Sequence, residues 1–241
     1  MGGSSKRTGA EASDGGDPGA ELDRIEAEVR AGRTDLSELG FWRIVAKLKR
    51  DPALADRFAD QAGRIDREAF EARKRFRLPV WLGNAVLLLG VAIGALAIVV
   101  AMKASNRTVA GIALIASAGI LSVSVHDLGH WVAGRAGGIR FLCYFLDGPF
   151  RIQPGLKTDY STYLRATPSG RALMHASGAL TSKVAPFVSV AFSPASNAPL
   201  WALLVTLAIG LIQIVTDLVW STKKSDWKKV ARERAIAGTR S

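Results

Sequence analysis

The sequence has one cysteine and three histidines in 241 residues. A single thiol, Cys143, cannot form an internal disulfide, so nothing points to an oxidising compartment, and Cys143 reads as a reduced thiol. An apolar run close to the start is also lacking. The first such run opens at residue 78, far too late for a secretory signal peptide. No internal repeat is visible, which counts against a metal-ion carrier, because carriers spread their ligands over inverted repeats. Acidic residues are scarce beside the apolar runs, and that scarcity accounts for the net charge of +11. Residues 1–78 are nearly balanced, with 16 basic and 15 acidic side chains. The excess sits at 135–171 (6 basic, 2 acidic) and at 221–241 (7 basic, 2 acidic). Positive charge placed there orients helices by the excess of Lys and Arg in cytoplasmic loops. It does not describe a nucleic-acid surface, and no nucleic-acid partner is expected.

What is present is apolar length. Residues 78–102 hold no charge and a single amide, Asn84. That is ample for a spanning helix, which needs roughly 20 residues. Residues 109–125 are uncharged but only 17 long, so they span only if the helix runs on through His126 and Asp127. A third run, 172–192, carries His175 and Lys183, and a fourth, 199–216, carries Gln213. The pattern predicts an all-α membrane protein of about four transmembrane helices in the cell membrane, with the lipid bilayer as its surroundings. With "RKRFR", the 135–171 segment and the C-terminal tail placed inside, both termini are cytoplasmic and the uncharged "SPASNAP" faces out. Lys103 and Arg107 are a weak opposing signal.

Before the spans, residues 1–20 read as a disordered tail and 21–78 as a small helical cytoplasmic region. Asp35 with Glu38 resembles a capping box, followed by an apolar face of Leu39, Trp42, Ile44, Val45 and Leu48. Asp51-Pro52 starts another helix, with Leu54, Phe58, Ala62 and Ile65 on one stripe. This region is either a docking domain or a helical cap near the cytoplasmic surface. Residues 138–170, between the second and third runs, suit short strands or a re-entrant segment at the membrane interface, with Arg140, Arg151 and Lys157 among aromatics. Residues 79–235 form the membrane domain, and 236–241 a tail.

The chemistry gathers in "SVSVHDLGHWVAGRAGG", residues 122–138. On a helix, positions i and i+4 are neighbours, so His126 and His130 can reach one metal ion. Two imidazoles and a carboxylate, Asp127, at the end of an apolar span are costly unless they pair with something, which makes them a functional hypothesis. A catalytic zinc takes three protein ligands and an open position. His175 sits within the third run and reads as a polar residue bonded to a neighbouring helix. The third ligand is then an acid, either Asp217 or Asp226, and closeness to the apolar run favours Asp217.

The arrangement resembles the site-2 protease family of intramembrane zinc metalloproteases. "HDLGHWVAGRAGGIRF" is similar to that family's HExGH and the small residues after it, with His126 and His130 at its histidine ligands. "TPSGRALMHASGALTSK" resembles the segment entering its next span, and "TDLVWSTKKSDWKKVARE" its NPDG region, with Asp226 at the aspartate. The resemblance covers roughly residues 80–235. It implies Zn²⁺ held by His126, His130 and Asp226, with Asp127 as general base, in an endopeptidase that cleaves membrane-embedded segments of substrate proteins near the cytoplasmic side. It therefore favours Asp226 where the apolar run favours Asp217. Three positions depart from the family: Gly178-Ala179 stands for Gly-Pro, Asp226-Trp227 for Asp-Gly, and Asp127 for the usual glutamate. Aspartate is one methylene shorter, and the alternative implied is an inactive relative that binds membrane proteins as a regulator.

Overall fold

A computed structural model describes residues 16–74, 76–146, 154–219 and 225–239. The chain begins with three helices, α1 (Pro18–Arg30), α2 (Phe41–Arg50) and α3 (Pro52–Arg73). Helix α1 starts earlier than the sequence indicates. Asp17 accepts hydrogen bonds from the Gly19 and Ala20 amides, and Pro18, with no amide proton to satisfy, occupies the first turn. Asp51 and Pro52 act in the same way at the start of α3. The Asp35–Glu38 pair does not begin a helix. Asp35 Oδ1 accepts from the Ser37 and Glu38 amides within a turn. Helix α2 starts only after Gly40, whose positive φ of 79° glycine adopts at little cost. Leu22, Ile25, Phe41, Ile44, Leu48, Ala59, Ala62 and Ile65 form one buried cluster, while Trp42 is 39% exposed.

Helices α4 (Val80–Lys103), α5 (Arg107–Ala136) and α8 (Leu200–Val219) are long and apolar enough to cross a membrane. Their outward faces carry apolar side chains such as Trp81, Leu88, Leu89, Leu96, Ile112, Leu204 and Ile212, the surface a bilayer would cover. Helix α5 runs on through His126, Asp127 and His130, the continuation that the 17-residue run needs in order to span. Helix α7 (Pro168–Ala191), the expected third span, has the length at 24 residues but not the uniform apolarity. It contains Arg171, His175, Lys183 and Pro186 and packs against α5, α8 and α9 (Asp226–Gly238). In α4, Gly90 and Gly94 let α5 approach closely, since a methyl at either would strike Ser124 or Leu121.

The segment between α5 and α7 contains strands. β1 (Arg77–Leu78), β2 (Phe141–Phe145) and β3 (Gly155–Thr158) make an antiparallel sheet in the order β1-β2-β3, with Leu78 opposite Tyr144 and Tyr144 opposite Leu156. Asn84, the lone amide of the first span, accepts a hydrogen bond from the Tyr144 hydroxyl at 2.8 Å. Helix α6 (Tyr160–Arg165) follows, and its Leu164 enters the N-terminal core. Residues 1–15, most of the expected disordered tail, lie outside the described residues, as do Arg75 and Arg151.

Ion pairs join the N-terminal helices to the rest of the chain, the following three among them. Asp66 of α3 meets Lys157 of β3 at 2.5 Å, Asp60 of α3 takes both guanidinium nitrogens of Arg165 in α6, and Lys49 of α2 meets Glu233 of α9 at 2.6 Å. The first and third are buried, so these helices are an integral layer against β3, α6 and α9. Helix α9 extends to Gly238 and so includes the start of the expected 236–241 tail.

Candidate metal centre

His126 and His130 lie one turn apart on α5, with ring centroids 4.8 Å apart and planes nearly perpendicular. Each ring is held at Nδ1 by α7. His130 Nδ1–H donates to the Met174 carbonyl at 2.6 Å. The Ser182 hydroxyl lies 3.3 Å from His126 Nδ1 and within reach of the Gly178 and Ala179 carbonyls. With the proton on Nδ1, each ring turns Nε2 inward as a nitrogen that could bind a metal ion.

The inward nitrogens meet one oxygen. Asp226 Oδ2 lies 3.6 Å from His126 Nε2 and 3.3 Å from His130 Nε2. Donors bound at about 2.0–2.1 Å to a tetrahedral ion stand about 3.3–3.4 Å apart, so this spacing fits ligands around a shared centre. The backbone makes the approach possible. Ser177 and Thr181 of α7 reach the Gly129 and Val125 carbonyls of α5 at 2.9 and 3.0 Å. The His130 ring lies flat on Gly178, where any β-carbon would collide with Nε2.

Asp127 sits between the histidines and is 4% exposed. Its ligating oxygen lies within 4.8 Å of the histidine nitrogens, and the three residues form a group that could hold a metal ion. Its Oδ2 is buried with no hydrogen-bond partner among the described residues. An orphaned carboxylate oxygen of this kind fits a site that receives water or substrate.

No protein-family model, curated protein or solved structure matches this chain. What the centre can do is therefore read from its own geometry. Two imidazole nitrogens and a carboxylate gathered in one place are a donor set that could hold a metal ion.

Asp217 lines the same cavity, of about 810 Å³, but is held by Lys183 across α7 and α8. Burial ranks the two acids in the reverse of the order expected from the apolar run: the Asp226 side chain is 16% exposed and that of Asp217 37%. The reason is that α9 packs back along α7, so a carboxylate in a basic polar segment becomes enclosed. Burial alone would raise the Asp226 carboxyl. Contacts with His130 and His175 and the charge of Lys229 outweigh it and hold the group well below the usual carboxylate range.

Glu233 and Tyr163, which the sequence reading passed over, complete the surroundings with His175. Glu233 is buried in α9 and accepts from Lys49 Nζ and Arg171 Nε, each at 2.6 Å. Tyr163 places its hydroxyl 2.9 Å from His175 Nε2. His175 is bonded to a neighbouring helix, and that helix is α6. Nothing in the sequence distinguishes Glu233 from the solvated charges around it in "ARER".

Proposed function

We propose that the chain is an intramembrane zinc endopeptidase of the site-2 protease type, with four membrane-crossing helices, α4, α5, α7 and α8, and both termini cytoplasmic. The observation that carries the reading is the convergence of His126 Nε2 and His130 Nε2 on Asp226 Oδ2. His126, His130 and Asp226 would hold the ion, toward the cytoplasmic end of α5. A zinc bound there supplies Lewis-acid polarisation of a peptide carbonyl and acidifies water. Asp127 takes a proton from the attacking water as its oxygen adds to the carbonyl carbon. The same carboxyl then gives that proton to the amide nitrogen as the C–N bond breaks. The cavity along α5, α7 and β3 receives an unwound segment of a membrane-protein substrate and keeps bulk water away.

A second reading, a metal-holding but inactive relative that binds membrane proteins as a regulator, is favoured by one observation. The base is an aspartate, one methylene shorter than the glutamate of the family it resembles. Cleavage of a panel of membrane-spanning peptides by purified protein in bicelles separates the two. On the first reading Asp127→Asn keeps zinc and loses about 10²- to 10⁴-fold in rate, and Asp127→Glu keeps or raises activity. Equal cleavage by wild type and Asp127→Asn would remove Asp127 from the base role. Zinc retention with no cleavage by wild type or Asp127→Glu would establish the second reading.

A further inference from the structure

The three-ligand centre leaves the third histidine without a task, although His175 stands beside Asp226 and is buried. We propose that Lys49, Tyr163 and His175 form a directed hydrogen-bond chain that positions the Asp226 carboxylate, so that the N-terminal helices complete the metal centre. This rests on the metal-binding reading above and adds positioning residues to it.

The direction follows from the donors. An ammonium group can only donate, so the Lys49 Nζ contact at 3.3 Å makes the Tyr163 oxygen an acceptor. The single Tyr163 proton then goes either to Glu233 Oε1 at 3.2 Å or to His175 Nε2 at 2.9 Å. Both Glu233 oxygens already take a charged donor at 2.6 Å, from Lys49 and from Arg171. The nearer and less satisfied acceptor is His175 Nε2. Burial and the Glu233 charge raise the Tyr163 hydroxyl well above its ordinary value, so it stays protonated and able to donate.

With Nε2 accepting, the neutral His175 ring carries its proton on Nδ1. The His175 Nδ1 atom lies 3.8 Å from Asp226 Oδ1. That is too far for a direct hydrogen bond but near enough for the N–H dipole to act on the carboxylate. Lys229 Nζ holds the same oxygen at 2.9 Å. Oδ1 is thereby engaged from the protein side, and Oδ2 is left facing His126 and His130. The opposite tautomer would set the Nδ1 lone pair against the carboxylate. Glu233 and Arg171 anchor the chain where α2, α6, α7 and α9 meet.

The test is a competition titration of zinc-loaded full-length protein against a chelator, paired with the visible spectrum of the Co²⁺-substituted form. Tyr163→Phe and His175→Leu should weaken zinc about 10- to 100-fold, as is usual when the partner of a ligand is lost. Both should shift the Co²⁺ bands. His175→Asn, whose amide nitrogen can stand where Nδ1 stands, should restore most of the affinity. Lys49→Met should shift the bands in the same direction by less. Wild-type affinity and spectrum in His175→Leu would overturn the positioning chain while leaving the metal reading intact. Loss of zinc in His175→Asn as complete as in His130→Ala would make His175 a ligand instead, and an unmoved Lys49→Met spectrum would remove the N-terminal helices from the chain. Absence of zinc in the wild type would overturn the metal reading itself.

Discussion

Replacing Glu233 by Gln keeps its shape and removes one negative charge from a site where two cations converge. Arg171 is completely buried and Lys49 mostly so, and Arg171 Nη2 is already buried without a partner among the described residues. Leaving a buried charge uncompensated costs about 3–5 kcal/mol. Lys49→Met acts on the same cluster but leaves Glu233 paired with Arg171. It should cost less, about 1.5–3 kcal/mol for one hydrogen bond to a charged group. Part of even that is offset, because burial outweighs the attraction of Glu233 and pushes the Lys49 ammonium below its ordinary value of 10.5. A change of about 1 kcal/mol moves the midpoint of a chain this size by roughly 2–4 °C, so Glu233→Gln should melt about 6–20 °C below wild type. The pH dependence has a defined sign. Burial alone would raise the Glu233 carboxyl, but Lys49 and Arg171 outweigh it and hold the group below its ordinary 4.5. A depressed acid contributes its stability above the unfolded-state value and loses it as pH falls through the folded one. The gap between wild type and Glu233→Gln should therefore be constant from about pH 8 to about pH 5 and narrow below about pH 4.5. Circular dichroism melts in bicelles measure both effects. A Glu233→Gln midpoint equal to wild type, or a larger loss in Lys49→Met, would refute the reasoning.

Gly178→Ala should cost metal affinity rather than stability, because its methyl would collide with His130 Nε2 and force it outward. A displacement of about 1 Å far exceeds the tolerance in metal–ligand distance, which is about 0.2 Å. Gly119→Ala, which meets nothing within 4 Å, should bind zinc as wild type does in the same titration. Lys183→Met and Asp217→Asn should each lower the melting midpoint by stranding one charge within the helices, while the double variant recovers most of the loss. A double variant worse than either single would contradict a simple ion pair.

The parts of this molecule that were legible in the sequence are those in which chemistry repeats at short range. The i, i+4 histidines and the uncharged runs of α4 and α8 are of that kind. Where partners lie far apart in the chain, the sequence was silent. Glu233 meets Arg171 across 62 positions and Lys49 across 184, and its neighbours in the chain gave no hint of burial. The choice between Asp217 and Asp226 shows the same limit. Distance from an apolar run measures membrane depth, whereas Asp226 is enclosed because α9 turns back along α7. Local rules also competed at Asp35, whose carboxylate serves a turn while Gly40 opens the helix. In the third apolar run, length was readable, but its polar residues serve contacts with α6, α8 and α9 that composition does not reveal.

Zinc content measured in Asp226→Asn beside Asp217→Asn, each purified metal-replete and without chelator, tests the centre most directly. Wild type and Asp217→Asn should carry about one zinc per chain, and Asp226→Asn should carry none, since an open zinc site is built from three protein ligands. Zinc kept by Asp226→Asn and lost by Asp217→Asn, or no zinc in the wild type, would contradict a centre built from His126, His130 and Asp226.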